Sequence, residues 1–380
     1  MKNIFILLAL ASTLSSSCTH AQTRDPRPPR EQNPPAENRK IQVALLLDTS
    51  NSMDGLIEQA KSRLWNIVNT MTTLKYEGKA PDIEIALYEY GNDGLGKESD
   101  YIRQVTPLTR DLDLISEKLF SLRTNGGLEY CGTVIEKALD QLEWSAHDAD
   151  MKLIYIAGNE PFNQGAVPYK EVLPRALKEQ VFVNTIYCGT YDQGVREWWK
   201  DAAERGEGKY FNIDANKRIR YIETPYDAEI NIINIRLNDT YIGYGPTGAA
   251  KKSNQVMQDK NAEELSGANM AERAMTKSSS AYKNADWDLV DAANEGEIDM
   301  EQIQEEDLPV ELQGKSIEER KTYIDQKASE RAALQKQLNE LGKKRQAYLE
   351  KEMANAGDSD DLGAAIATSI RALAQKKGYK

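Results

Sequence analysis

The sequence predicts a doubly wound, mainly parallel α/β sheet of Rossmann-like type, followed by a C-terminal β-hairpin and a helical, partly coiled-coil extension. Three observations carry this reading. Ile41–Leu47 is a near-continuous apolar run, as a strand buried on both faces requires. Similar runs recur at 83–88, 153–157 and 181–187, separated by amphipathic stretches of helical length. The composition, 40% hydrophobic and 28% charged, is that of a globular chain and excludes a collagen-like, fully disordered or polytopic membrane protein.

Taken in order, the first element is a leader. Met1-Lys2-Asn3 is positive, Ile4–Leu14 is apolar but too short to span a bilayer, and small polar residues follow, the layout of a secretory signal over 1–21. Two cleavage readings stand. Small residues running into Cys18 would make it a lipidated N-terminus, whereas Thr19-x-Ala21 would release a chain starting at Gln22. Both place the protein outside the cytoplasm, in the periplasm or as a lipoprotein of the outer membrane or cell surface. Its membrane contact is then limited to a lipid anchor. Residues 22–40 hold five of the thirteen prolines and five basic residues, an extended spacer.

Within 41–214, strand Ile41–Leu47 precedes an amphipathic helix with Leu56, Ile57, Ala60, Leu64, Ile67, Val68 and Met71 on one face. Strand Ile83–Tyr88 and a short edge strand Tyr101–Val105 come next. Helices are expected over 111–122, 133–144, 169–180 and 195–204, and a last strand at Lys209–Asn212. In such sheets ligands bind beyond the carboxyl ends of the strands, near the switch in strand order.

The loop after the first strand is Asp48-Thr49-Ser50-Asn51-Ser52-Met53. Asp48, Ser50 and Ser52 alternate, so an extended loop turns their oxygens the same way. One carboxylate with two hydroxyls is a hard-oxygen site suited to Mg²⁺, and less well to Mn²⁺ or Ca²⁺. The competing reading is a capped helix start. This D-x-S-x-S after a buried first strand resembles the metal-ion-dependent adhesion site of von Willebrand factor type A domains, over about residues 40–214. The resemblance implies an ion that recruits an acidic side chain from a protein partner. In that family a Thr in a second loop completes the shell. Here Thr124–Gly132 matches that loop without a Thr at the usual place, leaving Thr124 and Glu129 as candidates. The family's third loop carries Asp, where this chain has Gly158, followed by Asn159 and Glu160 as substitutes.

Cys131 and Cys188 both fall at the carboxyl end of the sheet, and an exported chain predicts a disulfide between them, with two buried thiols as the alternative. His147 is the only histidine outside the leader, and no H-E-x-x-H, C-x-x-C, G-x-S-x-G or Walker loop is present. No catalytic residue is assigned. The net charge of −12 argues against nucleic acid as a partner.

Beyond the sheet, 215–250 contains Glu229–Tyr244, read as two strands joined at Asn238-Asp239. Residues 251–313 form a helical then acidic segment, in which Ala281–Val290 should dock on a domain and 295–313, with eight acids and no base, should be a solvated loop. In 314–380, Ser316-Ile317-Glu318-Glu319 opens a long helix, with a coiled-coil seam centred on Leu334, Leu338 and Leu341 but interrupted by arginines. A short helix ends the chain. The expected function is metal-dependent protein binding in the envelope. The alternatives are a metal-free scaffold built on the long helix and, third, a hydrolase using Glu129 and Glu160.

Overall fold

The nine residues Lys40–Asp48 form β1, and all but the first are buried. In the computed structural model, which describes residues 38–356 and 362–380 except 215, 218 and 220 and omits the side chains of 353–356 and 364, β1 lies at the centre of a six-stranded sheet. Residues 1–21, Cys18 and the spacer up to residue 37 lie outside the described residues. The other strands are β2 (Asp82–Tyr90), β3 (Ile102–Thr109), β4 (Met151–Gly158), β5 (Val181–Cys188) and β6 (Glu207–Ile213), in the order β3-β2-β1-β4-β5-β6. Only β3 runs antiparallel, along the β2 edge. β1 pairs in parallel with β2 and β4, so the strand order reverses beside its carboxyl end.

Side chains of β1 alternate between two layers. Val43, Leu45 and Leu47 meet Leu56, Leu64 and Val68 of α1 (Asp54–Thr72). On this side also lies α2 (Leu112–Ser121). Ala44 and Leu46 face the opposite layer, formed by α3 (Cys131–Gln141) and α4 (Tyr169–Lys178). The helix expected over 195–204 is two, α5 (Tyr191–Arg196) and α6 (Trp199–Arg205), broken by Trp198 in the left-handed region at φ 69°.

The expected hairpin over 229–244 is instead a helix, α7 (Asp227–Asn238). Its buried residues, Ile230, Ile233, Asn234 and Leu237, recur at helical spacing, while Ile232 and Ile235 are each 61% exposed. Packing of that stripe overrides the strand preference of isoleucine. Then follow α8 (Gly245–Leu265), α9 (Gly267–Lys277) and α10 (Leu289–Glu295). Tyr282 and Trp287, in the segment between α9 and α10, enter the main core. The acidic stretch is not simply a solvated loop, because Met300, Leu308 and Leu312 anchor it in a small core with Ile242, Leu289 and Ile324.

The long helix is α11 (Ile317–Ala356), opened by the reciprocal bonds of Ser316 and Glu319. Its seam is filled by this chain's own α7, α9 and α10, so the coiled-coil expectation is replaced by an intramolecular one. The seam arginines are ion-paired inside that interface. Arg331 reaches Asp288 and Asp291 at 2.6 Å and lies 3.9 Å over the Tyr241 ring, and Arg345 reaches Asp227 at 2.8 Å. The last helix, α12 (Leu362–Lys377), returns to the sheet beside α1, where Tyr155 Oη and Ser369 Oγ are 2.6 Å apart. Thus 41–214 is not a closed body, since α12 supplies part of one layer and residues 38–380 form one unit. At the amino end of β1, the Tyr379 hydroxyl donates to the carbonyls of Lys40 and Ala149, and Lys380 pairs with Lys75 through two backbone bonds. Among the described residues no helix is long and apolar enough to cross a membrane.

Candidate metal centre

β1 delivers Asp48 to the carboxyl edge of the sheet, and the chain turns through Asn51–Met53 into α1. Two backbone bonds hold that turn: Thr49 N donates to Tyr90 O, and Asn125 N donates to Thr49 O. Three loops are thereby tied together. Asp48 is fully buried, and Ser50 N donates to its Oδ1 at 2.7 Å. Ser50 Oγ and Ser52 Oγ lie 3.5 Å apart, and Asn159 Nδ2 donates to Ser52 Oγ at 3.1 Å.

Glu129, 3% exposed, comes from the second loop and shares a hydrogen bond with Asp48. Burial pushes both carboxyls above the usual carboxylate range, and the charge of Asp48 pushes Glu129 further; Glu160 adds to the same effect. No basic side chain is among the main causes of either shift. One oxygen of each acid, Asp48 Oδ2 and Glu129 Oε2, is buried without a hydrogen-bond partner, as is Asn159 Oδ1. Burying acids without a compensating cation is costly. Two such carboxyls, two hydroxyls and an amide oxygen fit a hard divalent ion.

The structure brings Asp48, Ser50 and Glu129 together, with Ser52 and Asn159 at the rim. It does not bring Thr124. That hydroxyl bonds Asp54 Oδ1 and ties the second loop to the start of α1 instead of turning to Asp48. Gly91, Gly158 and Tyr90 shape the site in ways the loop motif does not show. Gly91, at φ 75°, approaches so closely that a Cβ would lie 2.8 Å from both Asp48 Oδ1 and Glu129 Cγ. A Cβ on Gly158 would lie 2.5 Å from Tyr90 Oη, which donates to Ala157 O. The Tyr90 hydroxyl fills the space of a third-loop side chain, which explains the missing acid there. Among the described residues no group of three His, Cys, Asp or Glu side chains forms a metal cluster, so hydroxyls and an amide are needed here.

The strand order, the antiparallel edge strand and an Asp-x-Ser-x-Ser loop at the order switch now stand together. Residues 40–213 have the von Willebrand A-type fold. No family model matches the sequence, and no curated protein does. Among solved structures, BatB from Bacteroides thetaiotaomicron is similar at 15% identity and TM-score 0.36, over 46% of this chain and 90% of that one. The SpRpn10 VWA domain aligns at 16% identity and TM-score 0.35, over 47% and 90%. Proximal thread matrix protein 1 of the mussel byssus, solved with a zinc-occupied MIDAS motif, aligns at 14% and 0.35, over 46% of this chain and 42% of its own.

The von Willebrand A-type core carries no disulfide at the predicted place. Cys131 and Cys188 are free thiols on opposite layers, Cys131 under α3 and Cys188 against the α1 side, with the sheet between them. Burial raises both thiols well above their usual range, so they stay protonated. His147 accepts from Ala149 N in an exposed turn. Glu160 is exposed and accepts from Gln164, while Glu129 is buried against Asp48.

Proposed function

We propose that the von Willebrand A-type core is a divalent-cation-dependent protein-binding module of the cell envelope. Asp48, Ser50, Ser52 and Glu129 would hold Mg²⁺, with Mn²⁺ or Ca²⁺ as alternatives, and Asn159 would orient Ser52. The bound ion would supply Lewis acidity for a carboxylate from an acidic partner. The chain's own residues do the rest. The β1–α1 turn fixes Asp48, Gly91 lets Glu129 reach it, and Tyr90 keeps the third loop from closing over the site. The observation that carries this reading is the buried Asp48–Glu129 pair, with an unpartnered oxygen on each and no base beside it. Export, and lipidation at Cys18, rest on the leader and belong to the same proposal.

Calorimetric titration of the full chain with Mg²⁺ and Mn²⁺, beside Glu129→Gln and Ser50→Ala, tests it. Heat of binding lost or strongly reduced in both variants supports the site, and no heat from the folded wild type at millimolar ion removes the metal mechanism. The scaffold alternative has less to stand on, because the α11 seam it requires is occupied by the chain's own helices.

A further inference from the structure

Helix α7 is apolar on two sides. Ile230, Ile233 and Leu237 are buried where α9 and α11 pack, whereas Ile232 and Ile235, on the other side, are each 61% exposed. A surface helix ordinarily keeps one apolar stripe and a polar outer face, and one that is apolar on both sides is ordinarily covered on both.

The outer face follows from the helical spacing. Ala228, Glu229, Ile232, Ile235 and Arg236 are all exposed and are related by steps of three, four and seven residues, so they lie along one side of α7. Glu229 and Arg236 stand two turns apart, one at each end of the isoleucine pair. Among the described residues neither side chain has an ion-pair or hydrogen-bond partner. The acids at the two helix ends are engaged elsewhere: Asp227 is buried and pairs with Arg345 at 2.8 Å, and Asp239 acts on the Lys252 ammonium.

This pattern is its own complement. In an antiparallel pair of α7 helices about a two-fold axis, Ile232 of one copy meets Ile235 of the other, and the symmetry repeats the contact in reverse. The same register sets Glu229 beside the second copy's Arg236, and Arg236 beside the second copy's Glu229. Two opposite-charge contacts then flank an apolar centre. A parallel pair sets like positions side by side and makes neither charge contact.

We propose that the outer face of α7 is a self-association surface that receives the α7 of a second copy of this chain in antiparallel orientation. Complementarity chooses the occupant, since the same five positions supply both halves of every contact. The surface does not depend on the Asp48 centre and goes beyond the metal-dependent reading. Two turns of helix bury less than the roughly 800 Å² per partner of a standard interface, so the dimer should be weak, with a Kd of about 10–100 µM.

Sedimentation equilibrium of the full chain from about 5 to 300 µM tests it. The wild type should pass from monomer to dimer over that range, equally so in EDTA. Ile232→Asp should weaken association at least tenfold. Glu229→Arg and Arg236→Glu each place like charges at both contacts and should each stay monomeric. An equimolar mixture of those two variants should regain the dimer, because the mixed pair restores a base against an acid at both contacts. All three positions are exposed, so every variant should melt close to the wild type. A wild type still monomeric at the highest concentration, a dimer that survives Ile232→Asp or dissociates in EDTA, or single charge variants that dimerise like the wild type would overturn the surface. So would a mixture that stays monomeric while the wild type dimerises.

Discussion

Two buried acid clusters in this chain look alike in composition and differ in what surrounds them. Asp113 and Asp259 lie between α2, α8 and α9, and Asp48 and Glu129 lie at the carboxyl edge of the sheet. The first pair is saturated with cations: Arg273 Nη1 is 2.7 Å from Asp113, its Nε bonds Asp259, and Lys277 Nζ is 3.0 Å from Asp259. Burial alone would raise the Asp259 carboxyl, but the charges of Lys277 and Arg273 overturn it and hold it well below the usual range. No such cation faces Asp48 and Glu129, and their carboxyls move up instead. The difference teaches that burial of acids is not itself a sign of function. The first cluster is complete and clamps α8 and α9 to α2, while the second lacks the positive charge that an ion would bring.

The largest effect should come from undoing the completed cluster. Arg273→Met leaves Asp113 and Asp259 buried beside Lys277 alone and should cost about 3–5 kcal/mol in denaturant unfolding. A loss below about 1 kcal/mol would mean that water or rearrangement compensates there, and the contrast between clusters would collapse.

Next in size is a pH effect confined to the same cluster. Burial lowers the Lys277 ammonium to about 8 against the opposing pull of Asp259. The folded state then releases this proton before the unfolded state does. From about pH 8 to the ordinary lysine value the unfolded chain binds more protons, so this group's contribution to stability rises with pH. Wild-type unfolding free energy should therefore climb relative to Lys277→Met over that window, by on the order of 2–3 kcal/mol. A flat difference curve would show that Lys277 keeps its ordinary affinity for the proton.

At the open cluster the sign reverses. Glu129→Gln removes a carboxyl that nothing neutralises, so stability in EDTA should hold or rise. Mg²⁺ affinity should fall at least tenfold, about 1.4 kcal/mol. A variant that unfolds more readily in EDTA would place Glu129 with the structural acids. The smallest change is expected from Asn159→Ala, which removes the bond to Ser52 together with a neutral amide oxygen and should weaken Mg²⁺ by roughly 0.5–1 kcal/mol. Calorimetry on the two variants together ranks the second and third loops.

Much of this was legible in the amino-acid order where the determinants are local. Ile41–Leu47 reads as a buried strand because both its faces are covered, and Asp48, Ser50 and Ser52 are close in sequence. Other features depend on distant partners. The isoleucines after Asp227 carry a strand preference of their own, yet Ile230 and Ile233 become helical because α9 and α11 pack against their stripe. Arg331 and Arg345 looked like defects in a seam, since their acids are 43 and 118 residues away. The missing third-loop acid could not be understood without Tyr90, whose hydroxyl reaches Ala157 across 67 residues. Nor does proximity to one sheet end reveal that Cys131 and Cys188 lie on different layers.

β1 begins where Tyr379 and Lys380 fold back on the domain and ends at Asp48. At roughly 3.3 Å per residue, its nine residues put about 26 Å between Lys40 and Asp48. A mechanical load between residue 38 and a ligand held at Asp48 would run lengthwise along this strand. Its backbone bonds to β2 and β4 flank it on both sides and would be strained together in shear, not peeled one at a time. Under such a load the central strand would act as a tension member, its amino end bonded through Lys40 O to the Tyr379 hydroxyl.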